Sequence, residues 1–213
     1  MQQAAKFDAE AVVALFTRGD GSYVFARWGR PIVPVVFGVD DATLSVIKGA
    51  VEAVVTLARH KMAETDPELG ANLMMFYFRE WAELPQVPGL DRMVPGLADL
   101  CARLTAEGAN QYRQFRHDRD GTIKAVFVFV RMDAGLSAMA AADLALAQAV
   151  QVICLWSDRA FARVSPLGDV GGQAILRPEI AALIRAGYDP AMPAVARDPV
   201  HALRLAARIG VTI

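Results

Sequence analysis

Cysteine, histidine and lysine are scarce in this 213-residue chain, which holds two Cys, three His and only four Lys among its 22 basic residues. Cys101 and Cys154 stand far apart with no CxxC spacing, which excludes both a disulfide framework and a zinc knuckle. With only His60, His117 and His201, a histidine-rich metal site lacks its ligands. Long apolar runs are missing too. Stretches such as 11–16 and 125–130 fall well short of the ~18–20 residues of a membrane span. Charge of one sign is also lacking: the net charge is −1, whereas a nucleic-acid partner calls for a strong basic excess. The N-terminus has one Lys before a six-residue apolar run and no export signal as written. The expected location is therefore cytoplasmic, or periplasmic if a signal peptide was removed.

What is present is apolar. Hydrophobic residues make up 54% of the chain and charged residues 21%. Such a chain has ample surface to offset its conformational entropy, so disorder is excluded and one sizeable core is expected. No linker, repeat or low-complexity tract divides it, and residues 1–213 read as a single domain. The excess of Arg over Lys and the abundant Ala read as the bias of a GC-rich bacterial genome.

Periodicity and punctuation give the order of elements. Asp8 caps a short helix over 9–17, and Asp40 or Asp41 opens a long helix that Asp66-Pro67 stops near Glu64. Residues 22–27 and 32–37 read as strands joined through Trp28-Gly29-Arg30-Pro31, with Pro34 marking an edge or bulge. A buried strand covers 72–79, and a helix broken at Pro95-Gly96 covers 90–107. Strands 112–117 and 122–131 flank Asp118-Arg119-Asp120-Gly121 as a hairpin. A long Ala-rich helix then runs over 137–156, a loop covers 168–172, and helices start at Pro178 and near Pro199. The sum is an α+β fold: a mostly antiparallel sheet of about five strands against long helices, with a helical C-terminal part.

Several motifs have plain readings. Arg18-Gly19-Asp20 is a polar turn, and the Gly-rich 168–172 segment lacks the strand and GK[ST] of a phosphate loop. His60 and Glu64 share a helical face as two possible metal ligands without a third. His117 sits at a hairpin mouth and reads as exposed. Ser137, Ser157 and Ser165 lack a G-x-S-x-G setting. The 137–156 helix is more informative. At about 100° per residue, Asp143, Ala147, Gln151 and Cys154 fall within about 80° of one another, with Gln148 about 60° beyond Gln151. One sparingly polar face therefore shows amides to a cleft or a partner.

Four segments, in order, resemble an uncharacterised bacterial family, commonly exported, with remote similarity to zincin metallopeptidases. They are Arg27-Trp28-Gly29-Arg30-Pro31 with Val33 and Val35, then Asp120-Gly121-Thr122-Ile123 leading into 125–128, then 148–158 (QAVQVICLWSD), and then 183–190 (LIRAGYDP). The resemblance implies a zincin-like fold. It assigns family-motif structural roles to Arg27, Trp28, Pro31, Tyr188, Asp189 and Pro190. Zincins use H-E-x-x-H, in which two His hold a metal and the Glu activates its water. The matching places here are Ala147, Gln148 and Gln151. A methyl group cannot bind metal, and a neutral amide cannot take a proton. The resemblance therefore implies a degenerate copy with no catalytic residue, no metal and no cofactor. Asp143, Gln148, Gln151, Cys154 and Asp158 stand as cleft or binding candidates, with Asp158 able to brace the following loop.

Three functions are open on this reading. The first is a non-catalytic zincin-like protein that binds a protein or peptide in the old cleft. The second is a structural or assembly subunit, to which a mean hydropathy of +0.30 also points, with a homo-oligomer as one form. The third is a metal-dependent hydrolase with atypical ligands such as His60, Glu64 and Asp143.

Overall fold

The structure, a computed structural model, describes residues 7–210. Asp8 accepts a hydrogen bond from Ala11 N and caps α1 (Ala9–Phe16), as its sequence predicts. After a polar turn at 18–22 come β1 (Phe25–Ala26) and β2 (Pro34–Phe37). Asp40 caps α2 (Asp41–Leu57), which is followed by β3 (Leu73–Phe78) and a 3-10 turn over Trp81–Gln86. The chain continues through α3 (Leu90–Met93), α4 (Leu97–Ala106), β4 (Gln111–His117) and β5 (Ile123–Arg131). Then follow α5 (Ala134–Ser137), α6 (Ala141–Ile153), β6 (Leu167–Val170), β7 (Gln173–Leu176), α7 (Pro178–Gly187), β8 (Val195–Ala196) and α8 (Val200–Arg208).

The fold is α+β, but its main sheet differs from the expected antiparallel five. It has four strands in the order β2-β3-β5-β4. β2 and β3 are parallel, as are β3 and β5; the β4–β5 hairpin alone is antiparallel in this sheet. The expected hairpin of 22–27 with 32–37 does not form. β1 pairs with β8, and β2 enters the main sheet instead. The intervening Trp28–Pro31 loop lies against the start of β5, where Gly29 N donates to Ile123 O at 3.2 Å. A Cβ on Gly29 would stand 2.2 Å from the Thr122 hydroxyl, so this approach needs glycine. Pro34 does lie on an edge strand, where its missing N–H costs no ladder bond.

Three helix and loop boundaries also move. α2 stops at Leu57 because Arg59 turns left-handed (φ 53°) and residues 60–63 pair with Ile32 instead. The predicted 137–156 helix is shorter, covering only Ala141–Ile153 as α6, and Ser137 ends a separate short helix, α5, rather than opening this one. Asp133 caps the short α5, and the extended Ala140 (ψ 135°) breaks the run although nothing in its composition marks a break. Residues 168–172 are not a loop but part of the β6–β7 hairpin. Gly171 (φ 64°) and Gly172 (φ 82°) supply the left-handed pair that a two-residue turn requires.

Strand alternation divides the sheet into two apolar faces. One carries Met74, Phe76, Phe78, Phe127 and Phe129 against Leu97, Cys101 and Leu104 of α4. A row of rings, Phe37, Phe76, Phe129 and Tyr112, crosses all four strands there. The opposite face packs Leu73, Met75, Val126, Val128 and Val130 against α2 and α6. On that second face the edge strand β4 contributes Gln111, Arg113 and Phe115. Arg113 is thus in register with Val128, Met75 and Val36, a polar group at the end of an apolar row.

Candidate functional site

The site is built around α6, whose C-terminal end is fixed by aromatic donors. The last carbonyls of a helix have no partner within it. Here Trp156 Nε1 donates to Val150 O at 2.8 Å, Trp28 Nε1 to Val152 O at 2.8 Å, and Tyr188 hydroxyl to Ile153 O at 2.7 Å. Trp28 N in turn donates to the Tyr188 oxygen at 3.3 Å, and the Arg27 guanidinium lies 5.4 Å from the Tyr188 ring centre. Arg27 also donates to Met192 O at 3.3 Å. Of the residues with expected structural roles, Arg27, Trp28 and Tyr188 therefore meet at one helix end. Asp189 accepts from Ala191 N and Arg208, and so holds a turn, while Pro190 is exposed beside it. Pro31 is exposed as well, its carbonyl accepting from Asn72 Nδ2 at 2.8 Å.

Between α6, the edge strand β4 and the 155–166 loop lies a cleft of about 720 Å³. Its walls include Gln148, Gln151 and Asp158 together with Ala147, Arg113 and Tyr112. Gln148 is wholly buried in the cleft floor. Its Oε1 accepts from Arg113 Nη2 at 2.7 Å, and its Nε2 donates to Gln111 Oε1 at 2.8 Å. Gln111 Oε1 also accepts from Arg113 Nη2 at 2.8 Å, which closes a triangle of two amides and one guanidinium. Gln151 is half-buried and bonds back to Ala147 O at 3.2 Å. Asp158 accepts from Gly19 N at 3.1 Å and from the Ser157 hydroxyl at 3.2 Å. It ties the loop after α6 to the Arg18-Gly19-Asp20 turn.

Two sequence candidates lie elsewhere. Asp143 sits in the first turn of α6 and is not among the cleft walls. Cys154 is 1% exposed, bridges to Arg27 across two chain segments, and has its thiol pKa pushed up by burial. Helical periodicity put it on the polar face, but α6 ends at Ile153 and Cys154 is already extended. His60 and Glu64 lie past the end of α2 rather than on one helical face, and His60 Nε2 is bonded to Arg30 O at 2.8 Å. Among the described residues no three His, Cys, Asp or Glu side chains gather as a metal-holding group.

The residue that sequence reasoning missed is Arg113. Its guanidinium meets amide oxygens and no carboxylate, and its Nε is enclosed without any partner. Burial pushes its pKa down to about 10, with the nearby Tyr77 phenol acting the other way. The Tyr77 hydroxyl is itself buried without a partner. The alternation Gln111, Arg113, Phe115 was the available signal, since one polar row on a strand facing an amide-bearing helix marks a shared surface.

The chain matches no known protein family, no curated protein and no solved structure.

Proposed function

We propose that the chain is a non-catalytic, zincin-like protein that holds an extended peptide in the cleft between β4 and α6. The observation that carries this reading is an edge strand lying beside a helix that lines the cleft with two neutral amides, the buried Gln148 and the half-buried Gln151. Among the described residues β4 has a strand on one side only, so an extended chain can add to its free edge while α6 forms the floor. The zincin pattern supplies the geometry of that idea but not the chemistry. Ala147 offers a methyl group, the Gln148 oxygen is taken by Arg113, and a guanidinium this close repels a cation. The residues present do not fit a zinc ion.

The test is selection from a displayed pool of random peptides, compared between the wild type and Ala147→Trp. Ala147 is half-exposed in the cleft wall, so an indole there fills the cleft and leaves the core intact. Peptides that bind the wild type and lose binding to Ala147→Trp are the expected result. No binders, or binders indifferent to the substitution, would overturn the proposal.

A second reading, a subunit of an assembly, is favoured by a groove of about 1300 Å³ lined by Val13, Phe161, Val164, Ile180 and Leu203. Burying such a groove against another chain fits the apolar composition. Light scattering across a concentration series tests it: a monomer throughout would count against a homo-oligomer.

A further inference from the structure

We infer that Arg113 is the anchor of a carboxylate-binding subsite in the cleft, so that the peptide held there is fixed by a carboxylate of its own. The inference rests on the peptide-binding reading and names the group that the site recognises.

Three observations lead to it. First, Arg113 is charged and has no counter-charge among the described residues. Among the described residues its only partners are the Oε1 atoms of Gln111 and Gln148, both reached from Nη2. A guanidinium has five donors, and a buried ion is ordinarily matched by an opposite one. Its Nε is enclosed and unpartnered. Second, the cleft walls carry further positive charge from Arg18 and Arg163, against one carboxylate, Asp158. Asp158 is already occupied by Gly19 N and Ser157. Third, the two amides that hold Arg113 orient its planar fork without neutralising it. With both Nη2 hydrogens taken by the amides and Nε enclosed, Nη1 is the nitrogen left to donate to a carboxylate, a charge-assisted bond stronger than a neutral one.

A peptide can bring a carboxylate from its C-terminus or from an Asp or Glu side chain, and both present the same chemistry to Arg113. The Gln148 position is the control that the structure provides. A glutamate there would stand where Oε1 now lies 2.7 Å from the guanidinium and would supply the missing charge internally. Gln111 can turn its amide to donate to the glutamate, giving up its own bond from Arg113, so the change keeps the contact between Arg113 and position 148 while cancelling the site.

The experiment uses the full chain and small probes rather than a selected peptide. The arginine Nε–Hε NMR signal that vanishes in Arg113→Lys identifies Arg113. It is then followed during titration with N-acetyl-Ala-Ala, with N-acetyl-Ala-Ala amide, with N-acetyl-glutamate α-amide and with inorganic phosphate. The expected result is a saturable shift with at least one carboxylate probe and none with the neutral amide. Affinity should fall at least about tenfold in Gln148→Glu, the loss of one good charged contact. Whichever carboxylate probe binds more tightly tells the terminal source from the side-chain source. Absence of any carboxylate-dependent shift, an equal shift with the amide, a response to phosphate alone, or unchanged affinity in Gln148→Glu would each overturn the inference. Because the probes are not peptides of the displayed pool, the two failures are separable. Pool binders with no titratable carboxylate would leave the cleft reading standing and remove the subsite.

Discussion

Arg30 and Arg113 are both half-buried, and their surroundings are opposite. Arg30 reaches Asp118 at 2.7 Å, Glu68 at 3.2 Å and Asp66 at 3.3 Å. Lys124 joins the cluster through Glu68. The Asp118 contact, ahead of a smaller opposing effect of burial, raises the Arg30 pKa above its usual value. Arg113 has amide oxygens only, and burial moves its pKa the other way. The first arginine is consumed by the fold: it ties the Trp28–Pro31 loop to the 66–68 turn and to the β4–β5 hairpin. The second is held in place by the fold and left unneutralised. A charge that is satisfied internally stabilises, whereas one that is oriented and unsatisfied is available to a ligand.

That contrast can be broken by substitution. Arg30→Met should cost about 3 kcal/mol in denaturant unfolding, because it strands Asp66, whose side chain is 3% exposed, beside two other carboxylates. The next effect is one of pH. Burial alone would raise the Asp66 pKa, but Leu69 N, Glu68 N, Asn72 and Arg30 together hold it down to about 2. A carboxyl lowered in the folded state stabilises above its unfolded pKa and loses that contribution as pH falls toward the folded one. Thermal scans should therefore show ~2 kcal/mol of stability disappearing between about pH 4 and pH 2. In Asp66→Asn that segment of the profile should flatten.

A smaller effect separates the braced end of α6 from its cleft side. Tyr188→Phe leaves the Ile153 carbonyl without its donor and should cost about 1–2 kcal/mol, read by denaturant unfolding. Smallest of all, Arg113→Met should shift stability by no more than about 1 kcal/mol in either direction. Removing an uncompensated, half-buried charge offsets the loss of two hydrogen bonds. A loss as large as that of Arg30→Met would show that the two arginines do the same work and would erase the comparison.

Where a local signal exists, the sequence was readable. Asp8 and Asp40 as caps, Pro178 at a helix start, Pro34 on an edge and Asp118–Gly121 between two strands all act within a few residues of themselves. The parallel pairings were not readable. No turn marks them, and β2 meets β3 across the whole of α2. The Gly171-Gly172 turn was legible in principle, but the short strands beside it alternate too weakly to call for a hairpin. For the site, spacing along α6 grouped Gln148 and Gln151, which both line the cleft, with Cys154, which lies past the end of the helix. Arg113 looked like any polar edge-strand residue. Only the partner supplied by α6, outside its own hairpin, turns it into a held group.

The three aromatic donors at the end of α6 have a further consequence, for the order in which the molecule assembles. Trp156 follows α6 directly, whereas Trp28 comes from the N-terminal part of the chain and Tyr188 from the C-terminal part, yet the three close a single helical turn. That turn acquires its last partners only after the N-terminal and C-terminal segments have met, a non-local step that is slow in folding. A chain cut before Tyr188 keeps every residue that lines the cleft and loses one of the donors that hold its floor.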